Sequence, residues 1–173
     1  MSVEEELQEN AEHAKEPFDR KVALTMAVIA AVMAIVSVMG HILTTDELLG
    51  QQKASDQWAF YQAKSIRRYE SDIARDLLAA VSAGPAGINK YGANVERYEK
   101  EGGEIQDEAK KLEEESHVRG AQALRTHVGE VFLEIAIILA SLAILSKRRP
   151  MWFASIVSGL VGTAIAATAA LIH

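Results

Sequence analysis

Val22 to Leu43 reads VALTMAVIAAVMAIVSVMGHIL, 22 residues with no formal charge and only Thr25, Ser37 and His41 strongly polar. At a helical rise of about 1.5 Å per residue the run is ~33 Å long, enough to cross the hydrocarbon core of a bilayer. A small soluble domain rarely buries a helix on every face, so the run reads as a membrane helix. The leader Ser2–Asp19 is acidic, the apolar run is longer than a signal-peptide core, and no small-x-small site follows Leu43. An uncleaved anchor is therefore expected.

Two further apolar stretches close the chain. Val131–Ser146 (VFLEIAIILASLAILS) is short and carries Glu134, with Val128 and Gly129 able to extend it outward. Met151–Ile172 (MWFASIVSGLVGTAIAATAALI) has no charge in 22 residues. Lys147-Arg148-Arg149-Pro150 between them fits only a tight helical connection. Three spans are expected, at 22–43, 130–146 and 151–172. Short basic loops stay cytoplasmic, and both Arg20-Lys21 and Lys147-Arg148-Arg149 mark that side. Three spans with both marks inside put the acidic tail 1–21 and the loop 147–150 in the cytoplasm. Residues 44–129 and the C-terminus then lie outside.

The whole chain of 173 residues has 18 Lys+Arg, 24 Asp+Glu, a formal charge of −6 and no cysteine. That balance excludes a basic nucleic-acid stripe, and the missing cysteines exclude disulfides, thiolate metal sites and Cys nucleophiles.

Residues 45–129 hold 12 Lys/Arg and 15 Asp/Glu and read as soluble and nearly balanced. Thr44-Thr45-Asp46-Glu47 has capping-box spacing, so a new or restarted helix is expected there. Ala59, Ala63, Ile66, Ile73, Leu77 and Val81 recur at steps of three and four, which predicts one buried stripe. The Gly- and Pro-rich stretch 82–92 predicts a turn. A second arm, about 94–128, carries Val95, Tyr98, Ile105, Ala109, Leu112 and Ala123 on a less regular stripe. Glu96–Lys100, Asp107–Lys111 and Glu115–Arg119 are spaced for i,i+4 pairs. Gly102-Gly103 marks a bend or a close approach. Arms of similar length, the first about 46–81, make a long antiparallel, coiled-coil-like hairpin. The expected fold is thus an all-α membrane protein with three transmembrane helices and this hairpin between the first and second. An isolated helix pair is marginal, so a homo-oligomer is expected.

Gln51-Gln52-Lys53-Ala54-Ser55-Asp56-Gln57-Trp58-Ala59-Phe60-Tyr61-Gln62-Ala63-Lys64-Ser65-Ile66-Arg67, soon after a first membrane helix, resembles a bacterial membrane family catalogued as domain of unknown function 4337. The resemblance covers most of the chain, including Phe132-Leu133-Glu134-Ile135-Ala136 and the closing helical pair. It implies a multi-pass protein of the bacterial inner membrane. It supplies no activity, cofactor or catalytic residue.

Several constellations invite a function. Trp58 and Tyr61 share a helix face while Phe60 points elsewhere, and such aromatics concentrate at interface centres. His41, His127, Glu130, Glu134 and His173 fall at the outer ends of the expected spans. They form a candidate layer for a divalent metal or a proton, although no metal site is assigned. Glu134 inside a span needs a partner, and His41 is the one expected. Ser155, Gly159, Gly162, Ala166 and Ala170 form a small-residue stripe of the kind that packs membrane helices. No nucleotide loop, nucleophile elbow or metalloprotease helix is present, so no catalytic residue and no cofactor is expected. The leading expectation is a non-enzymatic oligomeric scaffold or accessory subunit whose hairpin contacts another protein. A small ion or proton channel using Glu134 and His41 comes second, and a metal sensor third.

Overall fold

The computed structural model describes residues 17–82 and 84–172. Three long helices account for nearly all of them: α1 (Pro17–Ala80), α2 (Pro85–Ser146) and α3 (Arg149–Ala167), followed by a 3₁₀ turn, Thr168–Leu171. No strand occurs among the described residues. All three helices contain a stretch long and apolar enough to cross a membrane.

Proline opens each helix. Pro17 and Pro85 are the first residues of α1 and α2, and Pro150 sits in the first turn of α3. There the ring presets φ and the missing N–H has no acceptor to lose. The connections are short because Ser82 and Lys147 turn the chain with φ of 52° and 55°. A side-chain-bearing residue is disfavoured there by roughly 1–2 kcal/mol. The Ser82 N–H answers by donating to the Ala79 carbonyl at 3.2 Å, and Lys147 by pairing with Asp19.

Three sequence expectations are corrected here, and the choice left open at Gly102-Gly103 is resolved. α1 runs through Thr44 without restarting, and the Thr44 hydroxyl meets His127 Nε2 at 3.1 Å instead of capping a helix. The expected turn 82–92 shrinks to the residues between Ala80 and Pro85, with Gly87 and Gly92 inside α2. Pro85 presets the first helical turn, and this outweighs the local glycine content. α2 also continues through Gly102-Gly103, of which Gly102 is the close-approach site, under the Tyr61 ring. Of the expected i,i+4 pairs none closes; Arg97–Glu101 does, at 3.7 Å.

Two compact units divide the chain: the described part of Met1–Thr45 with Val118–His173, and Asp46–His117. In the first, Val22, Met26, Ala140 and Ala143 form one buried cluster, and Ile29, Val36, Leu133 and Ala136 another. Small alanines on α2 let the larger α1 side chains pack close, since membrane helices gain little from hydrophobicity between them. α3 joins through its buried Ser155, Gly159 and Gly162. The closest approach is Gly129 on Gly162. A Cβ added to either would fall 2.6 Å from the other's carbonyl oxygen, so only glycine fits. Ala166 is half-buried and Ala170 exposed, so the predicted small-residue stripe packs mainly through its first three members.

In the second unit the contacts run Glu47 with Ser116, Tyr61 with Gly102, Lys64 with Glu101, Arg68 with Glu99 and Leu78 with Gly87. The α2 stripe is turned inward as expected, with Ala109 fully buried and Val95, Tyr98, Ile105 and Leu112 half-buried. The α1 stripe is not. Ile66, Ile73, Leu77 and Val81 are 58%, 69%, 62% and 65% exposed, and Ala59 and Ala63 are exposed too. What α1 turns inward instead is Ala54, Tyr61, Lys64, Arg68, Ser71 and Leu78. Long Lys and Arg stems cover the facing helix while their heads pair with Glu101 and Glu99, so the seam takes the charged face.

Candidate functional site

Three places carry chemistry, and each is fixed by helix register. The first is a polar layer where Gly40 meets α2. A Cβ on Gly40 would stand 3.0 Å from His127 Cε1, so the glycine seats the imidazole against α1. His127 Nε2 meets the Thr44 hydroxyl at 3.1 Å, and Nδ1 meets Glu130 Oε2 at 3.3 Å. A neutral ring with its proton on Nδ1 donates to Glu130 and accepts from Thr44; an imidazolium donates to both. The His41 ring lies edge-on to His127, centroids 6.4 Å apart, and its carbonyl accepts from the Thr45 hydroxyl at 2.8 Å.

This layer gathers His41, His127 and Glu130 and leaves Glu134 out. Leu133 packs in the cluster of Ile29 and Val36, so Glu134 stands level with the middle of residues 22–43. It is exposed, and it makes no hydrogen bond or ion pair with a described residue. Its neighbours on the open face are Val131, Ile135 and Ile138, at 52%, 42% and 58% exposure. The expected His41–Glu134 pair does not form. The sequence spacing puts Glu134 one turn inside the end of its apolar run, whereas the α1–α2 register carries it level with the middle of residues 22–43. Among the described residues no group of three His, Asp or Glu could hold a metal ion. His173 lies outside the described residues, as does most of the acidic tail.

The second place is the seam of Asp46–His117. Lys64 is its hub: it pairs with Glu101, and its ammonium lies 5.3 Å from the Phe60 ring centroid and 5.4 Å from that of Tyr98. The Glu101 carboxyl is held below the usual carboxylate range, first by the Lys64 hydrogen bond; desolvation opposes this, and the Lys64, Arg97 and Arg67 charges add to it. Trp58 and Tyr61 do share a face, ring edge to ring face at 5.8 Å, and both are half-buried. Phe60 points away at 49% exposure.

The third is the outward face of the same helix segment. At 100° per residue, Ala59, Ala63, Ile66, Ile73, Leu77 and Val81 fall within about 80° of arc, opposite the charged seam. The spacing of these residues was legible in the sequence, but not the side they face. Also missed were the Gly129–Gly162 contact and the bond from Trp152 Nε1 to the Thr25 hydroxyl at 3.1 Å. Lone glycine in an apolar stretch was the available signal for the former.

An all-helical chain with three helices apolar enough for a membrane, joined to a charged helical segment, is the class this architecture defines. Residues 18–172 match the family model described as Domain of unknown function (DUF4337), and the chain belongs to that family. No curated protein and no solved structure matches it.

Proposed function

We propose that this protein is a non-enzymatic, homo-oligomeric scaffold of the bacterial inner membrane. Three spans anchor it, and Asp46–His117 forms an antiparallel, coiled-coil-like helical hairpin on the periplasmic side. Descending contacts from Glu47–Ser116 to Leu78–Gly87 support the hairpin. The orientation rests on Lys/Arg bias: Asp19 pairs with Lys147, which draws Arg20-Lys21 and Arg148-Arg149 to one end of the apolar unit. The N-terminus and the basic connection are then cytoplasmic, and the C-terminus is periplasmic.

One observation carries the scaffold reading: an apolar line at heptad spacing, Ile66–Ile73–Leu77, faces outward from a helix whose other face is already occupied. Exposed a/d-type positions of this kind build a second coiled-coil seam. Phe60 flanks that line, while Trp58 and Tyr61 stiffen the hairpin behind it. A second copy of this chain is the expected first occupant, with a foreign helical protein as a further partner. Crosslinking in native membranes tests this. Ile66→Ser with Ile73→Ser and Leu77→Ser should abolish the crosslinked oligomer while leaving insertion intact; an unchanged ladder would remove the reading.

Glu134 favours a second reading, a small ion or proton channel. A carboxylate at mid-span costs on the order of 3 kcal/mol in insertion scales, and such groups mark ion routes. In this reading Glu134→Gln changes proton flux in proteoliposomes; equal flux in mutant and wild-type vesicles would exclude it.

A further inference from the structure

We propose that the groove between α1 and α3 is a binding site for an anionic phospholipid, its headgroup at the basic end and an acyl chain beneath. The inference rests on the membrane reading above and goes beyond it.

Two cavities line up along this groove. The upper one, about 530 Å³, is lined by Phe18 and Lys21 of α1 and by Arg149, Trp152 and Phe153 of α3. The lower one, about 300 Å³, is lined by Val28, Ile29 and Val32 of α1 and by Ile156 and Leu160 of α3, with Leu133 of α2 behind. Along α1 the lining advances 18, 21, 25, 28, 32, and along α3 it advances 149, 152, 156, 160, 163. Each series keeps the three- and four-residue steps of one helix face, so both cavities belong to one continuous track.

The chemistry changes along that track as it does along a phospholipid. Lys21 and Arg149 stand where the uncharged runs begin, which is the depth of lipid phosphates. A guanidinium binds phosphate through paired N–H donors, and the ammonium adds a point charge. Neither cation forms an ion pair with a described residue. The carboxylate of Asp19, on the same turn of α1 as Lys21, is paired with Lys147. Trp152 and Phe153 lie at the level that aromatic side chains favour at membrane interfaces. Below them the two polar residues of the slot are silent. Thr25 donates to the Lys21 carbonyl at 2.9 Å and accepts from Trp152, while Thr163 donates to the Gly159 carbonyl at 2.8 Å. The slot therefore presents hydrocarbon alone. Free phosphate would leave it unfilled, and a zwitterionic headgroup would bring its own cation against Lys21 and Arg149. Basic pockets between membrane helices on the cytoplasmic side suit acidic headgroups for the same reason.

The test uses the full chain in mild detergent, titrated with phosphatidylglycerol, with phosphatidylcholine of the same acyl chains, and with inorganic phosphate. Phosphatidylglycerol should bind more tightly than phosphatidylcholine. Lys21→Gln with Arg149→Gln should weaken it by about 30-fold, from roughly one phosphate contact per cation. Arg20→Gln with Arg148→Gln removes two neighbouring cations outside the lining and should leave it within about twofold. Val28→Trp, which fills the slot, should weaken phosphatidylglycerol as well. Equal binding of both lipids, or of phosphatidylglycerol to wild type and the Lys21/Arg149 variant, would overturn the site. Full displacement by inorganic phosphate at equal concentration would overturn the lipid in favour of a plain anion site. Alkaline-carbonate extraction of native membranes that carry the same chain separates the two levels. A chain that stays in the membrane but shows no lipid preference refutes the groove alone, whereas release into solution refutes the membrane reading and the groove with it.

Discussion

Two stretches of α1 expose apolar side chains to the same degree and for opposite reasons. Leu24 and Ile35 are each 69% exposed, and so is Ile73, with Leu77 at 62%. Between the first pair the sequence holds no charge; beside the second stand Asp72, Arg75 and Asp76, with Arg75 bonded to both acids. In lipid an outward leucine is already solvated by hydrocarbon, and nothing further is gained by covering it. In water the same exposure forgoes most of a side chain's burial free energy. Under the proposed membrane scaffold, the same fractional exposure is completion in one half of the helix and an open seam in the other.

The largest effect that separates them is the stripe itself. Three side chains, each more than half exposed, would contribute roughly 4 kcal/mol per protomer when covered. Ile66→Ser, Ile73→Ser and Leu77→Ser together should shift the protein to monomers in sedimentation equilibrium, while Leu24→Ala with Ile35→Ala should leave the subunit number unchanged. Equal behaviour of the two sets would erase the distinction. A single charge reverses the sensitivity. Ile35→Asp should cost about 3 kcal/mol of membrane insertion, and Ile73→Asp should insert like wild type, in a glycosylation-based insertion assay. Glycines sharpen the contrast at smaller scale. Gly162→Ala drives a methyl into the Gly129 carbonyl and should destabilise the apolar unit by about 2 kcal/mol. Gly92→Ala meets nothing within 4 Å in mid-helix and should stabilise the charged unit by about 0.5–1 kcal/mol, both read as shifts in thermal midpoint.

The three apolar helical stretches were legible because an uncharged run of membrane length has one cheap solution. Helix periodicity was legible too: Ile66, Ile73 and Leu77 do share a face, and Ala109 is buried as its stripe implies. What the pattern lacked was direction. A stripe's spacing names a face, and only the partner decides whether that face turns to the neighbouring arm or outward. Here Lys64 and Arg68 find Glu101 and Glu99, a solution that depends on pairing two segments more than thirty residues apart. Register carries the same lesson at Glu134. Counted along the sequence it stands near the end of an apolar run, but packing of Leu133 against Ile29 and Val36 sets it level with the middle of residues 22–43. Thr44 had the local chemistry of a cap, yet the unbroken helix left its hydroxyl for His127.

The smallest of these effects concerns the charged seam that displaced the apolar one. Because Lys64 holds the Glu101 carboxyl below its usual range, folding favours the ionised acid. The stability it contributes is fully present above the unfolded glutamate value, about 4.3, and is lost as pH falls through the lower folded value. The seam should therefore loosen in acid, while the stretch Val22–Leu43, which holds no carboxylate, keeps its helicity. Hydrogen exchange resolved along the chain can follow both at once. Between neutral pH and pH 3, protection around Tyr61–Arg68 and Tyr98–Ile105 should fall in wild type, and Lys64→Met should flatten that dependence by removing the hydrogen bond that sets it. Screening at this solvent-accessible pair keeps the change small. An acid response of equal size in Lys64→Met would assign the loosening to the remaining carboxylates of the segment, and the seam's polarity would then be a consequence of where the stripe points and not the cause of it.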